Sequence, residues 1–155
     1  MEEKNLRLSF RDCKLRWMNL RGLPTKYNEH GGVREFNIVV EDEDLAHQLI
    51  EDGWNIKVKP PRDDGGDPSY ELPVEARYNH IPPKIWMITS HGRTLLDEMT
   101  VGQLDYADIL EVSVIVKGRE WEPGKIKAFC RKMYVKIEED EFEAEYLYGD
   151  EEEPF

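Results

Sequence analysis

The sequence has little of what catalytic and metal-binding sites are usually built from. It contains two cysteines and four histidines in 155 residues, and neither residue type shows metal-ligand spacing. A GxSxG nucleophile motif, an HExxH motif and a glycine-rich phosphate loop before a helix are missing too. Carboxylates are so numerous that some pairs will meet by chance, so a pair of acids identifies no site. We therefore expect a binding protein rather than an enzyme, with no metal and no cofactor.

Export and membrane signals are also lacking. No apolar run approaches the length that spans a bilayer, and the N-terminal residues lack the basic-then-apolar layout of a signal peptide. Cys13 and Cys130 are far apart in the sequence, which favours reduced thiols. The chain is long enough to form one domain with a core of its own. The sequence thus predicts a cytoplasmic protein with a single folded domain and no membrane contact.

The negative charge is unevenly distributed along the chain. The protein has 33 acids and 21 bases, for a net charge of −12. Ten of the acids fall in residues 138–155, which contain no Lys or Arg, so residues 1–137 carry 23 acids against 21 bases, about −2. We interpret 1–137 as the folded domain and 138–155 as an acidic C-terminal tail. A nearly neutral domain can present a basic face to a nucleic acid, although the whole chain is acidic.

Short alternating segments separated by Pro, Gly and Asp predict a mainly β fold. One amphipathic helix is predicted between Asp42, its N-cap, and Gly53, which would end it. The two strongest strand patterns are Ile109–Lys117 and Lys125–Ile137, joined by a hairpin loop, Gly118–Gly124. We predict an OB-fold-like small barrel with one short α-helix inserted between strands. An unrelated barrel or a sandwich would show a similar pattern.

Cationic and aromatic residues recur together on the predicted strands, as single-strand binding requires for phosphates and unstacked bases. In the last strand one parity is cationic and includes Phe129 and Met133, whereas the other, with Lys132 and Tyr134, is the expected core side. Trp121, in the hairpin loop, is the best individual candidate for stacking. At any one strand, a solvated sheet face or a buried aromatic is the simpler alternative. The candidate DNA contacts are Lys14, Arg16, Trp17, Arg34, Phe36, Trp54, Lys57, Lys59, Lys84, Trp86, Trp121, Lys125, Lys127, Phe129 and Arg131.

The last residues of the chain combine acids with a terminal aromatic ring. Beyond Gly149 the sequence has no capacity to form a core, so we expect disorder there. An acidic tether near a cationic groove would compete with DNA at high effective concentration. The Phe155 ring and its carboxylate would suit capture of a chain terminus by a partner protein. The predicted partner-binding residues are Asp150, Glu151, Glu152, Glu153, Pro154 and Phe155.

This ending resembles that of bacterial single-stranded DNA-binding proteins, in which an OB-fold core carries an acidic tail closed by Pro-Phe. Stretches of the body resemble a group of phage single-stranded DNA-binding proteins. The resemblance implies an OB barrel that acts in phage DNA replication or recombination, in the bacterial cytoplasm, without enzymatic activity. It also implies that the tip recruits a polymerase, helicase or primase. It transfers no contact residues. The stretches are EDGWN at 51–55, KPPR at 59–62, IPPK at 81–84, TLLDE at 94–98 and the segment from Lys127 to Asp140.

A rival hypothesis comes from a different class of protein. An acidic decoy that imitates DNA and blocks a DNA-binding enzyme of the host would also have a large negative charge. Such a decoy predicts acids spread over a folded face, whereas ten lie in one terminal run. The sequence leaves open whether the protein forms homo-oligomers, whether it also binds RNA, and which protein reads Phe155.

Overall fold

Most of the fold is built by alternating apolar and polar residues, which form strands with one buried face. A computed structural model describes residues 6–26, 28–61, 65–79 and 81–139. Nine strands, one α-helix and one 3₁₀ helix lie in this part of the chain, which confirms the predicted mainly β fold with a single short helix between strands. The elements are β1 (Arg7–Phe10), β2 (Lys14–Asn19), β3 (Glu35–Val40), α1 (Glu43–Asp52), β4 (Lys57–Lys59), β5 (Ser69–Glu75), β6 (Lys84–Thr89), β7 (Gly92–Leu96), the 3₁₀ helix (Val101–Tyr106), β8 (Ile109–Glu122) and β9 (Lys125–Ile137).

Helix α1 begins and ends where its capping residues predict. The Asp42 carboxylate accepts hydrogen bonds from the N–H groups of Asp44, at 3.0 Å, and Leu45, at 3.2 Å. Gly53 ends the helix in the left-handed conformation, with φ 103°, and its N–H donates to Ile50 O. These caps place the chain after α1 directly beneath the β8–β9 hairpin.

The sheet follows the order β1-β8-β9-β5-β3-β2, and its two ends come from one bent stretch of chain. Strands β1 and β2 are separated by a short turn at Asp12, whose φ is +47°. The Cys13 N–H in that turn donates to Val112 O of β8 at 2.9 Å. Strands β5 and β9 pair in parallel, while β8 and β9 form a long antiparallel hairpin. The path is that of one mixed sheet, with both parallel and antiparallel pairs.

The remaining strands extend the sheet on either side of this path. Strand β4 pairs with β5, β6 pairs in parallel with β9, and β7 pairs with β6. The core is formed by inward residues of β3, β5, β8 and β9, such as Phe36 and Met133, which are both fully buried. Within the described residues, no helix is long and apolar enough to cross a membrane.

A β-bulge in β9 changes which residues face outward. Val116 of β8 is opposite Cys130, but its neighbour Ile115 is opposite Lys132, so Arg131 is the extra residue. The alternation therefore shifts after Cys130. The expectation for this end of β9 was wrong: Met133 lies in the core, whereas Lys132 is exposed and Tyr134 is half-buried on the outer face.

Candidate nucleic-acid interface

The outer face of the β8–β9 hairpin carries several cations beside an accessible aromatic ring. Three positions of the hairpin are buried and face inward: Val116, Gly118 and Cys130. Because side chains alternate along a strand, their neighbours Lys117, Arg119 and Phe129 point outward. On this outer face Lys117 lies opposite Phe129, and Arg119 lies opposite Lys127. Two cations placed directly opposite each other destabilise a sheet. That arrangement is understandable if the pair serves an anionic ligand.

Phe129 lies at the centre of this face, between two cations. The Arg77 guanidinium carbon is 5.2 Å from the centroid of its ring, and the Lys127 Nζ is 5.6 Å away. Glu75, the neighbour of Phe129 in the parallel β5–β9 pair, accepts from Arg77 Nη2 at 2.8 Å and pairs with Lys127 Nζ at 3.3 Å. One carboxylate thus fixes both cations beside the ring. The half-buried ring keeps a surface on which a base can stack.

Two adjoining cavities turn this face into a continuous groove. One has a volume of about 310 Å³ and the other about 1050 Å³, and both are lined by Arg77, Arg119 and Phe129. We call the surface lining both cavities the groove. Its charged lining consists of six cations and one acid, Glu120. The six cations are Arg77, Lys117, Arg119, Lys125, Lys127 and Arg131.

Trp121 stands at the hairpin end of the groove. Its side chain is 63% exposed, and the Lys125 Nζ lies 5.3 Å from its ring centroid. Lys125 also pairs with Glu122 at 2.9 Å. A large exposed ring beside a cation is suited to base stacking. Trp121 and Phe129 therefore offer two stacking surfaces along one groove.

The hairpin is held in place from below by the chain that leaves α1. The Ile126 N–H donates to Gly53 O at 2.8 Å. The Trp54 ring packs under Gly118 so closely that a Cβ at position 118 would lie 2.5 Å from the ring and 2.6 Å from the Ile126 side chain. Trp54 is 6% exposed. It positions the hairpin, and the little surface that it keeps lines the larger cavity, so its contact with DNA stays a prediction.

Two more predicted contacts are engaged elsewhere in the fold. Phe36 is fully buried in the core, so its ring offers no surface to DNA and that prediction is wrong. It lies on the inward face of β3 together with Ile38 and Val40. Arg34 has a side chain only 19% exposed, paired with Glu98 at 3.4 Å, and its guanidinium carbon lies 5.9 Å from the Tyr78 ring. Arg34 and Phe36 do not line the groove.

The cations predicted on β2 and β4 lie on other strands and do not line the groove. Lys14 pairs with Glu41 at 3.2 Å, and Arg16 pairs with the buried Glu71 at 3.1 Å. Trp17 is 71% exposed at a register shift of β2. Lys57 and Lys59 are exposed on β4, while Lys84 and Trp86 lie on β6, beyond β9. The residues of the predicted set that the structure brings together in the groove are Trp54, Trp121, Lys125, Lys127, Phe129 and Arg131.

Three groove cations were missed from the sequence. Lys117 and Arg119 belong to β8, which continues to Glu122 rather than ending at Lys117. The period-two series Lys117, Arg119, Trp121 was the available signal. Arg77 follows β5 and reaches Phe129 only because β5 and β9 pair in parallel. Nothing in the local sequence indicates that pairing.

Cys130 and Arg131 lie side by side in the lining of the smaller cavity. Burial raises the pKa of the Cys130 thiol to about 12, although Arg131 acts in the opposite direction, so this cysteine stays protonated. Among the described residues, no cluster of His, Cys, Asp and Glu could hold a metal ion. The predicted partner-binding residues, 150–155, lie outside the described part of the chain.

Comparisons with known proteins point in the same direction as the groove. A family model described as a putative phage ssDNA-binding domain matches residues 2–152. The fold is similar to that of a solved structure, the single-stranded DNA-binding protein from bacteriophage Enc34 with a C-terminal truncation. The TM-score is 0.50 and the identity 13%, over 88% of this chain and 89% of that one. Among curated proteins, none matches.

Proposed function

The chain belongs to the family of putative phage ssDNA-binding domains, and we propose that it binds single-stranded DNA in the groove with little sequence preference. The observation that carries the proposal is the Phe129 ring, held between Arg77 and Lys127 in a groove lined by six cations and one acid. Unstacked bases need such a ring, and phosphates need such cations.

Each part of the groove has a distinct task in this proposal. Bases stack on Phe129 and Trp121, while Lys117, Arg119 and Lys127 neutralise phosphates. Glu75 holds Arg77 and Lys127 beside the ring, so the cations are ordered before DNA arrives. Because the contacts are to ring faces and phosphates rather than to base edges, they favour no particular sequence.

The wider role follows from the family and from the composition of the tail. We propose that the protein protects single strands during phage DNA replication or recombination in the cytoplasm of the bacterial host. It acts by binding and has no enzymatic activity. The acidic residues near the C-terminus regulate DNA binding by competing for the groove. Phe155 recruits a replication protein such as a polymerase, helicase or primase.

Fluorescence anisotropy with labelled oligo-dT and with a duplex of equal length tests the central proposal. We expect tighter binding to oligo-dT, because a duplex has no free base faces. Phe129→Leu removes the aromatic face and keeps an apolar side chain, so affinity for oligo-dT should fall about 10-fold, in line with ~1–3 kcal/mol per stacked base.

The salt dependence of the binding constant for oligo-dT tests the phosphate contacts separately from stacking. Lys127→Gln should reduce the slope of log K against log salt by about 0.7, the value for one phosphate contact on a single strand. Lys57→Gln, on β4 outside the groove, is the matched control and should leave the slope unchanged. If the full-length protein binds neither oligo-dT nor duplex at low salt, the proposal is wrong and the decoy hypothesis gains support.

A further inference from the structure

We propose that a second single-strand subsite lies beyond the groove, on the outer face of β6, β7 and the C-terminal half of β9. This inference rests on the proposed function of the groove and extends it, because it predicts that longer strands make contacts that short ones cannot. We call this surface the platform. It is formed by Lys84, Trp86, Arg93, Lys132 and Tyr134.

The platform brings two aromatic residues together by strand register. Trp86 and Tyr134 are direct partners in the parallel β6–β9 pair, and both are half-buried on the outer face. Ile85 and Met133, the inward residues next to them, are fully buried. The guanidinium carbon of Arg93 lies 4.9 Å from the centroid of the Trp86 ring. Aromatic faces beside a cation are the combination that binds unstacked bases.

The charges of the platform need an anion that the described chain does not supply. Lys84 and Lys132 are direct partners in the same register, and like charges in that position destabilise a sheet. In the ranges that the structure describes, no ion pair joins either ammonium, or the Arg93 guanidinium, to a carboxylate. A phosphate backbone that runs between these cations would remove the repulsion.

The bulge in β9 connects the platform to the groove. Because Arg131 is the extra residue, it and Lys132 both lie between the buried Cys130 and Met133 and reach the outer surface. Arg131 lines the groove, and Lys132 belongs to the platform. At about 3.3 Å per strand residue, Tyr134 lies roughly 13–16 Å from Phe129 along β9. Two consecutive cations therefore bridge the gap between the two aromatic sites.

The chemistry favours a nucleic acid single strand as the occupant. The platform combines rings with cations, is continuous with the groove, and contains no acid among its five residues. An acidic protein would match the charge but would not need the ring faces. Continuity also sets the expected order of contacts: a short oligonucleotide fills the groove alone, and a longer one extends over the bulge to Trp86.

Oligonucleotide length provides the test. Affinities of the full-length protein for oligo-dT of about 5 and about 14 nucleotides, within the range of OB-fold site sizes, should be measured by anisotropy. Trp86→Ala should weaken binding of the longer oligonucleotide about 5-fold or more and leave the shorter one unchanged. Tyr106→Ala is the matched control, since Tyr106 is 70% exposed and has the Arg21 guanidinium 4.9 Å from its ring, but lies on the 3₁₀ helix.

A charge variant keeps the test valid if Trp86→Ala does not fold. Lys84→Gln with Lys132→Gln changes two exposed side chains, and it should reduce the salt slope for the longer oligonucleotide by about 1.4, at about 0.7 per phosphate contact. The slope for the shorter one should not change. Lys57→Gln with Lys59→Gln is the matched control, because these lysines lie on β4 opposite Glu71 and Ser69.

The outcomes distinguish failure of the platform from failure of the groove. Length-dependent losses support the platform. Equal losses for both lengths, or no loss for the longer oligonucleotide, would overturn it while leaving the groove intact. Failure of the unmodified protein to bind either oligonucleotide would instead overturn the proposed function, and the platform with it.

Discussion

At the scale of single residues, Glu71 shows how an acid can be kept ionised inside a sheet. It is 1% exposed, accepts a hydrogen bond from Asn37 Nδ2 at 2.9 Å and pairs with Arg16 at 3.1 Å. Burial alone would raise the pKa of its carboxyl, but these hydrogen bonds and the charges of Lys59 and Arg16 together hold the pKa below its usual value. Arg16 is thus part of a structural ion pair.

Replacing this carboxyl should make the stability of the protein less sensitive to acid. A lowered pKa in the folded state stabilises the fold fully above the unfolded pKa, about 4.3 for Glu, and the contribution is lost as the pH falls through the folded pKa. We expect Glu71→Gln to lower the free energy of unfolding by about 1–2 kcal/mol at pH 7, and the difference to shrink below about pH 4. Urea unfolding at a series of pH values measures it.

Glu41→Gln is the control for this prediction. Glu41 also pairs with a cation, Lys14, but its side chain is 66% exposed. An exposed pair contributes little to stability, so Glu41→Gln should change the free energy of unfolding at pH 7 by less than about 1 kcal/mol. A difference between Glu71→Gln and the unmodified protein that stays constant down to pH 2 would show that Glu71 does not titrate as its contacts imply.

The sequence indicates which kinds of residue a DNA-binding surface would use, but not which of these side chains face solvent. Lys125, Lys127 and Phe129 share one parity of a long strand, and the structure places all three in the lining of the groove. Phe36 was placed on the wrong side of the sheet, since an aromatic residue in a strand can face either side. Arg77 could not be found, because its contact with Phe129 exists only through the pairing of β5 and β9.

At the scale of elements, the β8–β9 hairpin depends on a glycine that has no role in its turn. Gly118 lies in the interior of β8, where glycine normally weakens a strand. Here it leaves room for the Trp54 ring, which packs against the strand where a Cβ would stand. The orientation of Arg119 and Trp121 relative to the rest of the sheet therefore follows from the fit between Gly118 and Trp54.

Gly118→Ala should destabilise the protein and move the hairpin. A Cβ 2.5 Å from the ring forces a shift, and overpacking of this kind costs about 1–3 kcal/mol. Chemical unfolding measures the stability, and anisotropy should show weaker binding to oligo-dT because two groove residues move.

A double-mutant cycle tests the cause. In a Trp54→Phe background the outer part of the indole is gone, so Gly118→Ala should cost less than it does with Trp54 present. If the cost is the same in both backgrounds, the ring is not what requires glycine at position 118.

Most helices and strands could be predicted from the sequence, but the β-bulge in β9 and the length of β8 could not. The helix and β9 have the boundaries that their patterns indicate, because caps and alternation are local. The bulge at Arg131 has no residue signature, so Lys132 and Tyr134 were placed on the wrong side of the sheet. Strand β8 was cut short because Gly118 reads as a turn residue, although it is present for packing.

At the scale of the whole molecule, the distribution of charge is as important as its total. Residues 1–137 carry 23 acids and 21 bases, and six of the bases line one groove. The acids at positions 150–153 are available, in our proposal, to compete with DNA for those six cations. The mainly β class was predictable from the pattern of short strands. The pairing of β1 with β8 was not, since it joins segments about 100 residues apart.

Removal of residues 150–155 should tighten binding to oligo-dT, or leave it unchanged, and any gain should be largest at low salt. Screening lengths fall from about 30 Å at 0.01 M to about 8 Å at 0.15 M, so competition by a charged segment weakens as salt rises. Anisotropy of the shortened and full-length proteins across this range measures the effect.

A variant with Asp150→Asn and Glu151, Glu152 and Glu153 each changed to Gln separates charge from the terminal ring. It should match the shortened protein in DNA affinity, because Phe155 is proposed to serve a protein partner. Tighter binding by the full-length protein than by the shortened one would contradict competition for the groove.

The pairing of β1 with β8 also fixes the order in which the newly made chain can fold. Arg7 is the register partner of Lys117, and Phe10 of Val114. At about 5–20 residues per second, a ribosome makes the intervening stretch of about 100 residues in roughly 5–20 s. During that interval β2 and β3 can already pair with each other, but the apolar face of β1, with Leu8 and Phe10, has no partner strand. The pairing of β1 with β8 must wait until residues 114–117 have been made, so the groove, which needs both β8 and β9, can form only after β2 and β3 are able to pair.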